Sequence, residues 1–212
     1  MIFIFLSVKK HSEIEININR SRFIGNVIKV NNEDEAKDFI KDISRNYKNA
    51  THNCWAYKIF DKREIFNFSD NGEPSGTAGK PILGAIEMNN LINVVIVVTR
   101  FYGGVKLGVR GLINAYGETA SLAIKDAEIC EFKKALVYDC KADYSKFNEI
   151  EKLLKRIEGW KFREHNFAAD VNFKISVLEE NFEEVMNVIE KKSFKFEKIG
   201  EDEVAVNIGG EK

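Results

Sequence analysis

The sequence is poor in the residues that cross-link a chain or interrupt it. Its 212 residues include only two prolines, three cysteines and three histidines. The cysteines are Cys54, Cys130 and Cys140, and the histidines are His11, His52 and His165. Neither set contains a close pair or a metal-ligand spacing. We therefore expect no disulfide framework, no metal and no cofactor.

Long hydrophobic runs are absent as well. The run at the N-terminus, Ile2 to Leu6, is too short for a membrane span or a signal-peptide core and lacks a basic lead, so it predicts a first strand. The most apolar run, Leu91 to Val98, is interrupted by Asn93 and is typical of a buried strand. We therefore expect a cytoplasmic protein with no membrane partner.

The composition is that of an ordinary globular protein. Hydrophobic residues make up 44% of the chain and charged residues 31%, and 16 Phe and 6 Tyr supply bulk for a core. The net charge is −1, with a basic balance before residue 135 and an acidic balance after it. This mild split does not indicate non-specific nucleic-acid binding by the whole surface, and a local basic patch remains open.

The first 134 residues predict strands mixed with helices. Ile14, Ile16 and Ile18 alternate with polar residues, as in a half-buried strand. Asn32 precedes three acidic residues, a pattern typical of a helix N-terminus. Strands are predicted at 13–19, 23–30, 51–60, 64–68 and 93–99, and helices at 33–47, 81–90 and 111–126.

From Ala135 the pattern changes. Strands are predicted at 135–142, 160–166, 170–177 and 204–208, and helices at 144–157 and 181–192. This βαββαβ order is the ferredoxin-like arrangement. The sequence therefore predicts an α+β protein with two domains, 1–134 and 135–212.

Two glycine-rich segments, 69–80 and 100–108, flank one buried strand and are expected to lie side by side. The candidate ligand-binding residues are Ser69, Asp70, Glu73, Ser75, Gly76 and Thr77 in the first segment, and Arg100, Gly103, Gly104 and Lys106 in the second, with Arg110 just beyond it. Backbone N–H groups beside glycines, together with Arg and Lys, favour an anion or phosphate site. The alternative is that the glycines serve only tight turns and that the charges are solvated.

An enzymatic interpretation uses His52 with Asp70 or Glu73 for acid–base chemistry, as in a hydrolase. Against it, the pattern alone favours His52 as a packed strand residue over an acid–base group, and Cys54 is interpreted as a core residue rather than as a nucleophile. No Walker A loop, dinucleotide-binding glycine motif or nucleophile elbow is present. A third interpretation is a protein-interaction module, which would expose an apolar patch.

Three segments resemble the Impact/YigZ family in order and in spacing: Thr51–Tyr57, Phe68–Leu83 and Asn93–Gly108. The resemblance covers essentially the whole chain, and the part from Ala135 is similar to the small C-terminal domain of bacterial members. It implies an N-terminal β/α fold like that of a small-subunit ribosomal protein. It also implies a C-terminal domain similar to the ferredoxin-like domains of elongation factor G.

The resemblance further implies a link to translation. Eukaryotic members restrain the kinase pathway that senses uncharged transfer RNA, and they carry an accessory domain that this chain lacks. That regulatory role is not carried over to this chain. The expectation is a binding or regulatory protein rather than an enzyme. Its candidate partners are RNA, the ribosome or a translation-associated protein, without DNA specificity.

One position departs from the family pattern. Family members usually continue Lys106-Leu107-Gly108 with a small residue and two glycines, whereas this chain has Val109, Arg110 and Gly111. Arg110 would be strained if its position required a positive φ. At a helix start that receives an anion, Arg110 could either strengthen the site or fill it.

Overall fold

The computed structural model describes residues 4–61, 63–167, 169–193 and 195–206. The chain divides into two compact units, which we call the larger unit, residues 5–130, and the smaller unit, residues 131–206 with Ile4. Both units combine antiparallel sheet with helices, which confirms the α+β class. None of the helices in the described ranges is long and apolar enough to span a membrane. Separate folding of 1–134 and 135–212 stays a prediction.

The larger unit contains strands with helices between them along the chain. Its strands are β1 Ile4–Val8, β2 Ser12–Ile18, β3 Ser21–Lys29, β4 His52–Asp61, β5 Arg63–Ser69 and β6 Val94–Phe101. Its helices are α1 Glu33–Asn46, α2 Gly79–Met88 and α3 Gly108–Ala127. Strands β2 to β6 pair in the order β2-β3-β6-β4-β5, all antiparallel. Strand β6 is therefore central and buried on both faces, as its apolar run predicted.

Helices cover both faces of this sheet. Residues Val94, Ile96 and Val98 pack toward α2 and α3, while Val95 packs in the cluster that contains α1. Successive strand side chains point to opposite faces, so this alternation explains the two separate apolar clusters. Asn32 caps α1 as predicted, because its side chain accepts a hydrogen bond from the backbone N–H of Glu35.

A tight turn joins β2 to β3. Asn19 and Arg20 both have positive φ, 46° and 68°, as a type I′ hairpin turn requires, and Ile18 pairs with Ser21 across it. The turn places Ser21 at the start of β3, level with the end of β6.

Helix α3 begins at Gly108, three residues before the predicted start. Gly108 itself has a φ of +70°, and no described side chain caps the helix. Arg110 lies inside the first turn and is not among the residues with positive φ, so it is not strained. The backbone therefore does not require a glycine at position 110.

The smaller unit follows the predicted element order. Its elements are β7 Ile129–Ala142, α4 Tyr144–Leu154, β8 Trp160–Phe167, β9 Val171–Leu178, α5 Phe182–Glu190 and β10 Lys195–Val206. The strands pair antiparallel in the order β10-β7-β9-β8, and the helices share one apolar cluster with the sheet. Two predicted bounds were wrong: β7 starts six residues before Ala135, and β10 starts nine before Val204. The predicted strand end at Ile208 lies outside the described residues.

Candidate functional site

The two glycine-rich segments do lie side by side, at the end of β6. Arg100 Nη1 donates a hydrogen bond of 2.6 Å to Glu73 Oε1, which joins the second segment to the first. Both side chains are buried, with 6% and 4% of their surfaces exposed. Arg100 has no acidic residue close to it in the sequence, but in the structure it pairs with Glu73, which is 27 positions away.

Asp70 organises the first segment from within. Its Oδ2 accepts from Gly76 N at 2.8 Å, and its Oδ1 accepts from Ala78 N at 3.0 Å and Gly79 N at 2.9 Å, at the start of α2. Partial burial raises the pKa of this carboxyl, but the three backbone hydrogen bonds outweigh it and hold the pKa below its usual value. Asp70 is therefore occupied as a structural cap. The Gly76 amide is occupied by the same contact, and the assignment of Asp70 as a ligand or as a partner of His52 stays a prediction.

Two other candidates in this segment, Thr77 and Ser69, form hydrogen bonds within the loop. Thr77 is buried, and its Oγ1 donates to the Pro74 carbonyl at 2.6 Å. Ser69 Oγ accepts from Asn71 N at 3.2 Å, and Ser75 is exposed. These contacts explain the polar composition of the segment without a ligand.

Glu73 is the centre of a buried polar cluster. Its Oε1 accepts from Arg100 Nη1 and from the hydroxyl of Tyr116, the latter at 2.8 Å. Burial, and then the neighbouring Cys54 and Glu73, raise the pKa of Tyr116, so the phenol is a neutral donor. Sequence reasoning missed Tyr116. Its buried position in α3 signals a hydroxyl that needs a partner, but the sequence does not say which partner it finds.

His52 stands at the edge of this cluster with its orientation fixed. Its Nδ1 lies 2.8 Å from the carbonyl oxygen of Asn71, which can only accept, so Nδ1 carries a proton. Its Nε2 lies 3.9 Å from Glu73 Oε1, which is too long for a hydrogen bond. The structure thus brings His52 close to a carboxylate without forming the pair that the hydrolase interpretation requires.

Cys54 lies behind the same cluster. Its Sγ donates to the Asp70 carbonyl at 3.0 Å, and its side chain is fully buried. Burial is the main cause that raises the pKa of this thiol to about 12, so it stays protonated at neutral pH. Its interpretation as a core residue is consistent with this environment.

Ser21 links Arg100 to the second glycine-rich segment, and sequence reasoning missed it. Its Oγ accepts from Arg100 Nη2 and from Gly103 N, both at 3.3 Å. A Cβ at Gly103 would overlap the backbone carbonyl of Arg20, so the two chain segments touch directly. Gly104 serves a different need, since its φ of +85° is one that side chains rarely adopt. No pattern in the sequence signalled Ser21, which becomes important only through the hairpin turn.

A pocket of about 280 Å³ opens beside this cluster at the start of α3. Its lining residues are Glu73, Pro74, Arg100, Tyr102, Lys106, Leu107, Gly108, Val109 and Leu112. The first turn of α3 contains no acidic residue, and among the described residues Lys106 makes no ion pair. Arg100 Nε also lacks a hydrogen-bond partner in the described part of the chain. Arg110 is exposed but does not line the pocket.

Comparison with known proteins identifies the family. Residues 19–124 match the Impact N-terminal domain. The chain belongs to the IMPACT family. It is 38% identical over 179 residues to the IMPACT family member YvyE of Bacillus subtilis, which covers 84% of this chain and 82% of that protein. It is 33% identical over 144 residues to the IMPACT family member YigZ of Escherichia coli, which covers 67% of this chain and 71% of that one.

A solved crystal structure of a hypothetical protein is also similar. It is 28% identical, covers 86% of this chain and 89% of that chain, and superposes with a TM-score of 0.59. The buried polar cluster and the pocket, from Ser21 to Tyr116, lie wholly inside the part of the chain that matches the Impact N-terminal domain. The candidate site therefore lies within the Impact N-terminal domain, in the larger unit.

Proposed function

We propose that this IMPACT family chain is a binding or regulatory protein linked to translation, which takes RNA or another phosphate-bearing ligand in the pocket at the start of α3. The link to translation is what the family resemblance implies. The observation that supports phosphate binding is that the start of α3, which has no side-chain cap, lines the same pocket as Lys106 and Arg100.

The start of α3 is the strongest element of this proposal. The first N–H groups of a helix lack intrahelical acceptors, and the helix dipole adds a partial positive charge there. A phosphate is the group that such a site binds well. Lys106 adds a full charge, whereas the charge of Arg100 is largely offset by Glu73.

The test compares Lys106, which precedes α3, with Lys125, which lies in the last turn of the same helix. Lys106 lines the pocket, and Lys125 is exposed near the opposite end of α3. RNA and ribosome binding by wild type, Lys106→Ala and Lys125→Ala is measured at two salt concentrations. We expect Lys106→Ala to weaken binding and to reduce the salt slope by about one unit, with Lys125→Ala close to wild type. Equal binding by all three proteins would remove the phosphate proposal.

A second candidate function, hydrolysis, draws support from the fixed orientation of His52. Its Nε2 is the free nitrogen and faces Glu73 at 3.9 Å, a distance that a bound substrate could shorten. Under this alternative, His52→Gln would keep ligand binding and abolish turnover of a bound phosphate ester. Binding without any turnover by wild type would exclude it.

A third candidate, a protein-interaction module, is favoured by two aromatic rings on the edge strand β5. Phe66 and Phe68 are 54% and 38% exposed. A protein partner bound there would not depend on Lys106. Loss of ribosome association in Phe66→Ser, with full association in Lys106→Ala, would favour this alternative over phosphate binding.

A further inference from the structure

The pocket at the start of α3 is not uniformly cationic. Glu73 forms part of its wall, and Oε1 of this carboxylate already accepts from Arg100 and Tyr116. No described residue donates to the other oxygen, Oε2. The pocket therefore offers a charged acceptor at one side and the N–H donors of α3 with Lys106 at another.

This arrangement disfavours a bare anion. Arg100 offsets most of the charge of Glu73, but an inorganic phosphate held beside Glu73 would still place acceptor oxygens against the acceptor oxygen Oε2. A ligand that carries hydroxyl donors as well as a phosphate satisfies both sides. Carboxylates recognise ribose hydroxyls in this way in dinucleotide-binding folds, where the phosphate sits at a helix start.

The volume of the pocket and the exposed ring of Tyr102 restrict the type of ligand further. At about 280 Å³ it lies at the small end of ligand sites, which suits one nucleotide rather than several. The ring of Tyr102 is 45% exposed, and the Arg100 guanidinium carbon lies 5.4 Å from its centre. This cation–π contact holds a ring on which a base can stack.

We propose that the pocket binds a single ribonucleotide unit, with its phosphate at the start of α3 and Lys106, its ribose hydroxyls at Glu73 and its base against Tyr102. This inference rests on the proposed function and specifies its ligand. The unit is either a free mononucleotide or the end of an RNA chain, since both present the same groups.

Calorimetric titration of the full chain tests the proposal with defined probes. The probes are inorganic phosphate, adenosine 5′-monophosphate and its 2′,3′-dideoxy analogue. We expect adenosine monophosphate to bind best and the dideoxy analogue to bind about tenfold or more weakly, because hydrogen bonds to the charged Glu73 are lost. Equal affinity for the two nucleotides, or phosphate binding as tight as that of adenosine monophosphate, overturns the ribonucleotide inference and leaves phosphate binding intact. No binding by any probe or by RNA overturns both.

Variants assign each contact. Glu73→Gln should bring the affinity ratio of the two nucleotides close to one, with folding checked by thermal unfolding. Tyr102→Leu alters an exposed ring and so keeps the test available if Glu73→Gln does not fold. It should lower affinity for adenosine monophosphate roughly five- to a hundredfold while leaving that for ribose 5-phosphate unchanged. Unchanged affinity for adenosine monophosphate in this variant would contradict the assigned base position.

Two RNA probes distinguish the source of the nucleotide. One is a short RNA with a 5′-phosphate, and the other is a circular RNA of the same sequence, which has no end. Preference for the phosphorylated end over the circle indicates a chain end, and preference for free adenosine monophosphate over both indicates a metabolite. Equal binding of the circle and the phosphorylated RNA, each tighter than the mononucleotide, contradicts the single-nucleotide pocket.

Discussion

Each of the two units contains a short ion pair, which is buried in the larger unit and exposed in the smaller unit. In the larger unit, Arg100 and Glu73 meet at 2.6 Å with 6% and 4% of their side chains exposed. In the smaller unit, Lys134 and Glu201 meet at the same 2.6 Å with 41% and 52% exposed. Burying a charged pair carries a desolvation cost that an exposed pair avoids. The larger unit bears that cost for Arg100 and Glu73 beside a pocket, whereas Lys134 and Glu201 keep their charges in water, so a functional role is the better explanation for the buried pair.

The largest expected effect concerns whether the two units are independent. Cys54 in the larger unit and Cys140 in the smaller are both buried, and burial raises the pKa of each thiol from 9.0 to about 12. At a given mildly alkaline pH, each folded unit should therefore hold much less thiolate than unfolded chain. Alkylation across a denaturant gradient, read for each cysteine by peptide mass spectrometry, should give two separate midpoints. Coincident midpoints would contradict separate domains at 1–134 and 135–212.

The two ion pairs can be compared directly by removing one partner of each. Arg100→Ala should destabilise the larger unit by about 3–5 kcal/mol, since it leaves Glu73 buried without its cation. Lys134→Ala should leave the midpoint of the smaller unit unresolved from wild type, because its pair is exposed. Denaturant unfolding of both variants provides the measurement, and equal losses would erase the contrast between the units. The expected loss also makes Arg100→Ala a poor probe of ligand binding.

Replacing a glycine by alanine should likewise destabilise the larger unit at Gly103 more than the smaller unit at Gly200. Gly103→Ala forces a Cβ into the Arg20 carbonyl and should destabilise by about 1–3 kcal/mol. A Cβ at Gly200 in β10 meets nothing within 4 Å, so Gly200→Ala should stay within about 0.5 kcal/mol of wild type. Thermal unfolding of the two variants checks this, and a neutral Gly103→Ala would show that the β2–β3 turn can move away.

The smallest expected difference lies between two aspartates at helix starts. Asp70 accepts three backbone hydrogen bonds, and Asp143, which caps α4, accepts one from Lys146 N at 2.8 Å. The amide oxygen of asparagine can still accept from Ala78 N and Gly79 N, but its amide nitrogen cannot accept from Gly76 N, so Asp70→Asn should cost about 1–2 kcal/mol and Asp143→Asn little.

The Asp70 contribution also has a defined pH dependence. Its folded pKa lies below that of a free aspartate, so its stabilisation is complete above the free-aspartate pKa and is lost as pH falls through the folded pKa. The stability gap between wild type and Asp70→Asn should therefore close as pH falls below the free-aspartate pKa of about 3.9. A gap that stays constant under acid would show that the lost bonds do not depend on the charge of Asp70.

Much of the fold followed from local patterns in the sequence. The apolar run of β6 and the Asn32 cap of α1 were predicted, because strand burial and helix capping depend on neighbouring residues. The bounds of β7 and β10 were wrong, because the extra residues of each strand are held by pairing with the other strand: Lys195 pairs with Lys141, and Lys133 pairs with Val204. Such pairing joins distant parts of the chain and leaves little local signal.

Only the approximate location of the candidate site was predictable from the sequence. Glycine and charge content located both segments, and their position around β6 brought them together. The partners within the site were not predictable, since Arg100 meets Glu73, Ser21 and the Tyr116 network across long sequence separations. The ligand role of Asp70 stays a prediction, and a capping carboxylate and a binding carboxylate look alike in sequence.

The Asn19–Arg20 turn has a consequence for how this chain can change in length. Hairpin tips ordinarily accept inserted residues, because nothing packs against them. This tip is different, since the Arg20 carbonyl touches Gly103 and the adjacent Ser21 hydroxyl holds both Arg100 and Gly103. One added residue would shift the register of β2 against β3 and withdraw that hydroxyl from both donors. The turn is short and exposed, yet its length is fixed by the pocket behind it.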